Sequence, residues 1–307
     1  MQRSDKSLEQ LLKLKIDSKP KDFNDFWRAR FNKIVEFSPR PKIFDAGLKG
    51  SVRVFELEYR STENVRIYGW LTLPSMGLPK RGFVVLHGYD GRTSPDFHLP
   101  FNDSAIFYPC CRGLGISRNP NIPDNPRKHV LHRIEEKEGY VIGGCVEDTW
   151  LAVSAMIEFF PELKGRIGIM GLSFGGGIAV LAAGFDNRID RMHVNVPSFA
   201  AYRARMSIKT VGSAAALQKY HAIHGDKIFS VLDYYDAAFA AENIKIPTLC
   251  ACAMRDEVVA PESQFAIYNS LAGRKELFLL DAGHCNYPGK NDQDGKLMSR
   301  LTSFFKY

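Results

Sequence analysis

From residue 82 onward the chain alternates short, unbroken apolar runs with longer stretches of helical periodicity. The runs are "GFVVLHGYDG", "AIFYPCCRG", "RIGIMGLS", "RMHVNVPS", "PTLCACAMRD" and "ELFLLDAGH", each ending in polar residues or glycine. A strand covered on both faces needs apolar side chains at every position, because neither face meets water. Between the runs lie "YVIGGCVEDTWLAVSAMIEFF", "GGGIAVLAAGF", "PESQFAIYNSLAG" and "DGKLMSRLTSFFK", which read as helices. Strands alternating with helices predict an α/β fold, a mostly parallel twisted sheet with helices on both faces.

Ahead of this region, "SVRVFELEYRS" and "VRIYGWLTLPS" are rich in β-branched and aromatic residues, and Asn64 with its neighbours turns between them. They predict an N-terminal antiparallel hairpin. Residues 1–50 read as an N-terminal helical extension, with helices in "SLEQLLKLK" and "DFNDFWRARFNKIVEF" and with Asp22 or Asn24 placed to cap the second. Residues 199–243 are longer than one crossover needs. They predict a mainly helical excursion between the sixth and seventh of these strands, overhanging the site described below. No linker or repeat divides the sequence, so residues 1–307 are expected to form one domain.

Composition narrows the function classes. With 45% hydrophobic and 24% charged residues, the chain reads as an ordinary water-soluble globular protein. No apolar run approaches the length of a membrane span, and the charged N-terminus lacks the apolar core of a secretory signal. The expectation is a cytoplasmic protein with no membrane partner. A net charge of +7 and a pI near 9.0 raise the question of nucleic acid. The lysines and arginines are scattered, however, with no basic block or aromatic interleave, so no nucleic-acid partner is expected. The six cysteines follow no metal-ligand spacing, and neither a metal nor a cofactor is predicted. Cys250 and Cys252 share one face of a strand and should pack as small hydrophobes; adjacent Cys110 and Cys111 could be redox-active, but without a secretory signal free thiols are the expectation.

The chemistry centres on Gly171-Leu172-Ser173-Phe174-Gly175, a G-x-S-x-G between a predicted strand and a predicted helix. The pattern is the one expected of the nucleophile turn of an α/β-hydrolase, set against the plainer reading of a glycine-rich strand-to-helix turn with a bystander serine. Glycines flank the serine because its backbone is strained there and a nearby side chain would collide with the strand or helix. The fold sets the chain order serine, acid, histidine. Of eight histidines, His284 follows the last predicted strand, where a loop can return to Ser173. His87 precedes a glycine turn and reads as a loop-ordering residue. His193 reads as a core histidine, and His98, His129, His132, His221 and His224 as loop or surface residues. Asp256 directly follows the strand "PTLCACAM" and is the candidate acid, ahead of Glu257, Asp281, Asp186 and Asp190. Two backbone N–H groups should hold the oxyanion, that of Phe174 after the nucleophile and that of Tyr89 after the third predicted strand.

With these residues in place, the chain resembles the acetyl xylan esterase and cephalosporin C deacetylase family, the seventh carbohydrate esterase family. The likeness runs from "DFNDFWRARF" through "VVLHGYDG", "CRGLGISRN", "MGLSFGGGIAVLAA" and "VPSFAAYRA" to "YYDAAFAAENIKIPTLCACAMRDEVVAPESQFAIYNSLAG" and "GHCN". The resemblance implies Ser173 as nucleophile, Asp256 as acid and His284 as base, with Tyr89 and Phe174 at the oxyanion and the substrate. It implies a small-molecule ester substrate, acetyl groups on small carbohydrates, no metal, and a homo-oligomer, commonly a hexamer. Three positions depart from the family pattern: Leu114 and Phe174 stand where glutamine is usual, and Cys285 where glutamate is usual. A phenylalanine beside Ser173 is expected to narrow or reshape the acyl pocket. Two other readings stay open, a general carboxylesterase or peptidase of the same fold and a non-catalytic binding protein on that scaffold.

Overall fold

The structure is a computed structural model that describes residues 6–17 and 19–306. Residues 1–5 and 18 of the expected N-terminal extension lie outside the described residues. Among the described residues, nine strands form one sheet: β1 (Lys42–Lys49), β2 (Val52–Arg60), β3 (Arg66–Pro74), β4 (Gly82–Leu86), β5 (Ala105–Pro109), β6 (Ile167–Leu172), β7 (Ile189–Asn195), β8 (Thr248–Ala253) and β9 (Lys275–Leu280). Their spatial order is β1-β2-β3-β5-β4-β6-β7-β8-β9. Strands β4 to β9 run parallel, while β1, β2 and β3 pair antiparallel and β3 joins β5 antiparallel.

The unbroken apolar runs have the two-sided burial that their pattern predicts. In β4, Val84 and Leu86 join one core cluster, whereas Phe83 and Val85 join another on the opposite face. In β8, Cys250 and Cys252 face the first cluster, and Leu249, Ala251 and Ala253 face the second. The first face is covered by the helices Val141–Phe159 and Phe174–Ala183, and the second by Lys290–Phe304, which supplies Leu297, Leu301 and Phe304. The helix Phe23–Val35 buries Phe23, Trp27 and Ile34 in the first cluster, and the Trp27 ring meets Trp150 edge-on at 5.9 Å. Asp22 occupies its N-cap position but makes no capping bond, because its carboxylate accepts from the Tyr234 hydroxyl instead.

The N-terminal extension is not helical throughout. Residues 42–49 form the edge strand β1, paired with β2 and interrupted by a bulge between Asp45 and Gly47. Nearly every residue of β1 is exposed, so it lacks the alternation that marks a half-buried strand. The excursion at 199–243 contains the helices Tyr202–Arg205, Gly212–His224, Phe229–Leu232 and Ala237–Ala241. Strand order reverses around β4, with β5 on one side and β6 on the other. The carboxyl ends flanking such a reversal are where open α/β sheets hold ligands. Here Leu86 is in register with Gly171, which sets the loops after β4 and β6 side by side.

Candidate active site

The turn after β6 carries Ser173 at φ 54° and ψ −112°, a left-handed conformation that costs free energy for any residue with a side chain. The turn closes so tightly that its glycines have no room to spare. A Cβ on Gly171 would lie 2.2 Å from the Gly175 carbonyl oxygen, and one on Gly175 would lie 2.6 Å from that of His87. The strained serine is held by its own backbone: Ser173 N–H donates to Asn195 O at 2.8 Å, and Ser173 O accepts from Gly177 and Ser198.

The loops after β8 and β9 bring two partners to it. His284 Nε2 lies 2.8 Å from Ser173 Oγ, and His284 Nδ1 lies 2.7 Å from Asp256 Oδ2. A carboxylate only accepts, so Nδ1 carries the proton and Nε2 is free to accept from the serine hydroxyl. The Asp256 side chain has 0% exposure. Its Oδ1 accepts from the Val258 and Val259 amides at 2.9 and 3.0 Å, and Oδ2 also accepts from Gln264 Nε2 at 3.0 Å. A hydroxyl set against an imidazole that a buried carboxylate orients is an arrangement suited to nucleophilic acyl transfer.

Among the described residues, neither the Phe174 nor the Tyr89 amide donates to a protein acceptor. Phe174 is the first residue of the helix Phe174–Ala183, so its N–H belongs to the free, positive end of that helix. The Phe174 ring is fully buried, 4.3 Å from the Tyr89 ring, and also meets His87 and Phe199. It lies beneath Tyr89 and is not part of the cavity wall. Leu114 is likewise buried in the core, and Cys285 is exposed and is not part of the wall of the Ser173 cavity.

Ser173 opens into a cavity of about 510 Å³ walled by Tyr89, Phe199, Arg205, Leu217 and Val259 among others. The excursion supplies Phe199, Arg205 and Leu217. A second cavity of about 720 Å³ shares His284, Val211 and Val258 with the first and contains Lys209, Arg255 and Cys285.

Two residues of the site were not expected. Gln264, fully buried, donates to Asp256 and to Val259 O while its Oε1 accepts from the Ala253 amide at 2.7 Å. The hint in the sequence is a lone amide in the first turn of a proline-started helix just beyond the acid. His129, read from sequence as a loop or surface residue, is fully buried. It donates from Nε2 to Arg112 O at 3.0 Å, so Nδ1 accepts from the Tyr89 hydroxyl at 3.2 Å. Burial pulls its pKa down to about 4, which keeps the imidazole neutral near pH 7. His87 ties the same loop, accepting from the Cys111 amide at Nε2 and donating from Nδ1 to Gly88 O. His193 is a core histidine that donates to Leu249 O.

Comparison with known proteins supplies the family. The pattern that describes the family acetyl xylan esterase (AXE1) matches residues 1–300. The chain is 21% identical over 276 residues to acetyl esterase Axe7A of Xylanibacter ruminicola, covering 84% of this chain. It spans only 61% of that relative's length. Among solved structures, acetyl xylan esterase 1 from a Thermoanaerobacterium species superposes with a TM-score of 0.83 at 19% identity, covering 97% of this chain and 99% of that one. An acetyl xylan esterase from a Paenibacillus species gives 0.83 at 23% identity, covering 96% and 99%. At such identities the structural likeness establishes the α/β-hydrolase-like fold.

Proposed function

Because the chain belongs to the acetyl xylan esterase family, we propose that it is a carboxylic ester hydrolase that removes acetyl or other short acyl groups from small esters. Acetylated carbohydrates are the substrate class suggested by its relatives' names. The observation that carries the reading is the continuous hydrogen-bonded line Ser173–His284–Asp256 at the mouth of a cavity.

In this mechanism His284 Nε2 takes the Ser173 proton as Oγ attacks the ester carbonyl. Asp256 holds the imidazole's tautomer and stabilises the imidazolium that forms. The Phe174 and Tyr89 amides receive the oxyanion, each worth on the order of 3 kcal/mol to the transition state. The protonated His284 then gives its proton to the departing alcohol. Water, activated by the same imidazole, clears the acyl-enzyme. As in the family it resembles, the chain is proposed to work as a homo-oligomer.

Ser173→Ala should abolish hydrolysis of 4-nitrophenyl acetate while leaving the thermal unfolding curve cooperative. Turnover at the wild-type rate in that variant would sink the reading.

A further inference from the structure

The cavity that opens on Ser173 also contains a cation that makes no ion pair among the described residues. Arg205, the last residue of the helix Tyr202–Arg205, lines that cavity and is 6% exposed. Its Nη1 is sealed from solvent without a hydrogen-bond partner, and no ion pair reaches its guanidinium among the described residues. Two residues earlier, Arg203 shows the ordinary arrangement, paired with Asp233 at 2.6 Å. The buried carboxylate nearest in influence to Arg205 is Asp236, and it is committed elsewhere. Its Oδ1 accepts from the Ala238 amide at 3.0 Å and its Oδ2 from the Tyr202 amide at 3.2 Å. Beside Arg205 a second polar group is stranded: the Tyr202 hydroxyl is buried without a partner, and the Tyr202 ring centre lies 5.6 Å from Arg205 Cζ.

An unpaired buried guanidinium is costly, and buried polar groups as a rule have partners. The charges at the cavity rim do not remove the problem. Asp90 and Arg127 are both exposed and of opposite sign, so the rim supplies no net negative charge to offset Arg205. A guanidinium presents a planar fork of donors that fits a carboxylate with two parallel hydrogen bonds. We infer that Arg205 is a specificity residue that binds a carboxylate carried by the ester seated at Ser173. A neutral acetylated sugar would leave the guanidinium without an ion-pair partner, and an acidic one would pair the part of it that lines the cavity. This inference rests on the esterase reading and names the substrate class of the same site.

Matched ester pairs test it. On the alcohol side, 4-acetoxybenzoate is compared with its methyl ester; on the acyl side, mono-4-nitrophenyl succinate is compared with 4-nitrophenyl butyrate. Each kcat/KM is divided by the rate constant for hydroxide hydrolysis of the same ester. In wild-type protein one anionic member should exceed its neutral partner by about tenfold or more. Arg205→Met should collapse that preference and Arg205→Lys should keep part of it. Equal treatment of both pairs by the wild type, or a preference that survives Arg205→Met, overturns the inference. If 4-nitrophenyl acetate is hydrolysed in a Ser173-dependent way but no preference appears, this inference alone falls. If no ester is hydrolysed, the esterase reading falls and takes this one with it. Should Arg205→Met fail to fold by circular dichroism, Arg205→Gln replaces it, and the wild-type preference and its decline with salt still decide the matter.

Discussion

At the scale of single residues, the informative side chain is Gln264. It is the only side chain among the described hydrogen bonds that reaches the same Asp256 oxygen as His284, and it also takes up the Ala253 amide. Gln264→Leu keeps the approximate volume but removes all three of its hydrogen bonds. The Ala253 N–H, the Val259 carbonyl and one Asp256 lone pair then go unmet, a loss of about 1–3 kcal/mol or more in stability. The loosened carboxylate should also lower kcat more than it raises KM, because it acts on the imidazolium formed during reaction. Urea titration and steady-state kinetics on 4-nitrophenyl acetate check both halves. An unchanged kcat would restrict Gln264 to a packing role. Ser173, Asp256 and His284 were legible in the sequence because each sits at a punctuation point, directly after an apolar run. Gln264 and His129 were not, because their partners lie in other loops and nothing local distinguishes a buried amide or imidazole from an exposed one.

At the scale of elements, the turn and helix after β6 decide what the site tolerates. Gly177 lies inside the helix Phe174–Ala183, where alanine would ordinarily be favoured by about 1 kcal/mol. Yet a Cβ there would lie 2.4 Å from the Ser198 carbonyl oxygen and 2.7 Å from the Phe199 ring. Backbone cannot yield as a flexible side chain can, so strain should exceed the propensity gain and Gly177→Ala should be destabilising by about 1–3 kcal/mol. Ser198 and Phe199 also wall the Ser173 cavity, so activity should fall with it. A denaturant midpoint at or above the wild-type value would show that the Ser198 loop can retreat at little cost. The same contrast explains what the sequence made visible in the fold. Parallel strands buried on both faces announce themselves as unbroken apolar runs, and the hairpin of β2 and β3 by its β-branched residues. The edge strand β1 shows neither signal, because its exposed "KIFDAGLK" owes its extended form to pairing with β2 and not to burial.

At the scale of the whole molecule, the larger core cluster draws on residues from Leu11 to Leu271, which supports the proposal that the chain folds as one unit. Its pH response then sums over groups buried far apart. Burial pulls His129 and His193 down to about 4 and pushes Asp236 up to about 7. Between pH 4 and the ordinary histidine value of about 6.5, the unfolded chain binds two protons that the folded histidines refuse. Over the same range the folded protein keeps one proton on Asp236 that the unfolded chain has lost. The net difference is one proton in favour of the unfolded state, so stability should rise with pH by about 1.4 kcal/mol per unit from these groups. Between about 6.5 and 7 only Asp236 still differs, and the sign reverses, which sets a maximum near pH 6.5. His193→Gln, whose amide can still donate to Leu249 O, leaves one histidine against one aspartate and should flatten the acid limb. Urea unfolding at intervals from pH 4.5 to 7.5 reads this directly. An acid limb equally steep in the variant would assign the slope to groups other than His193.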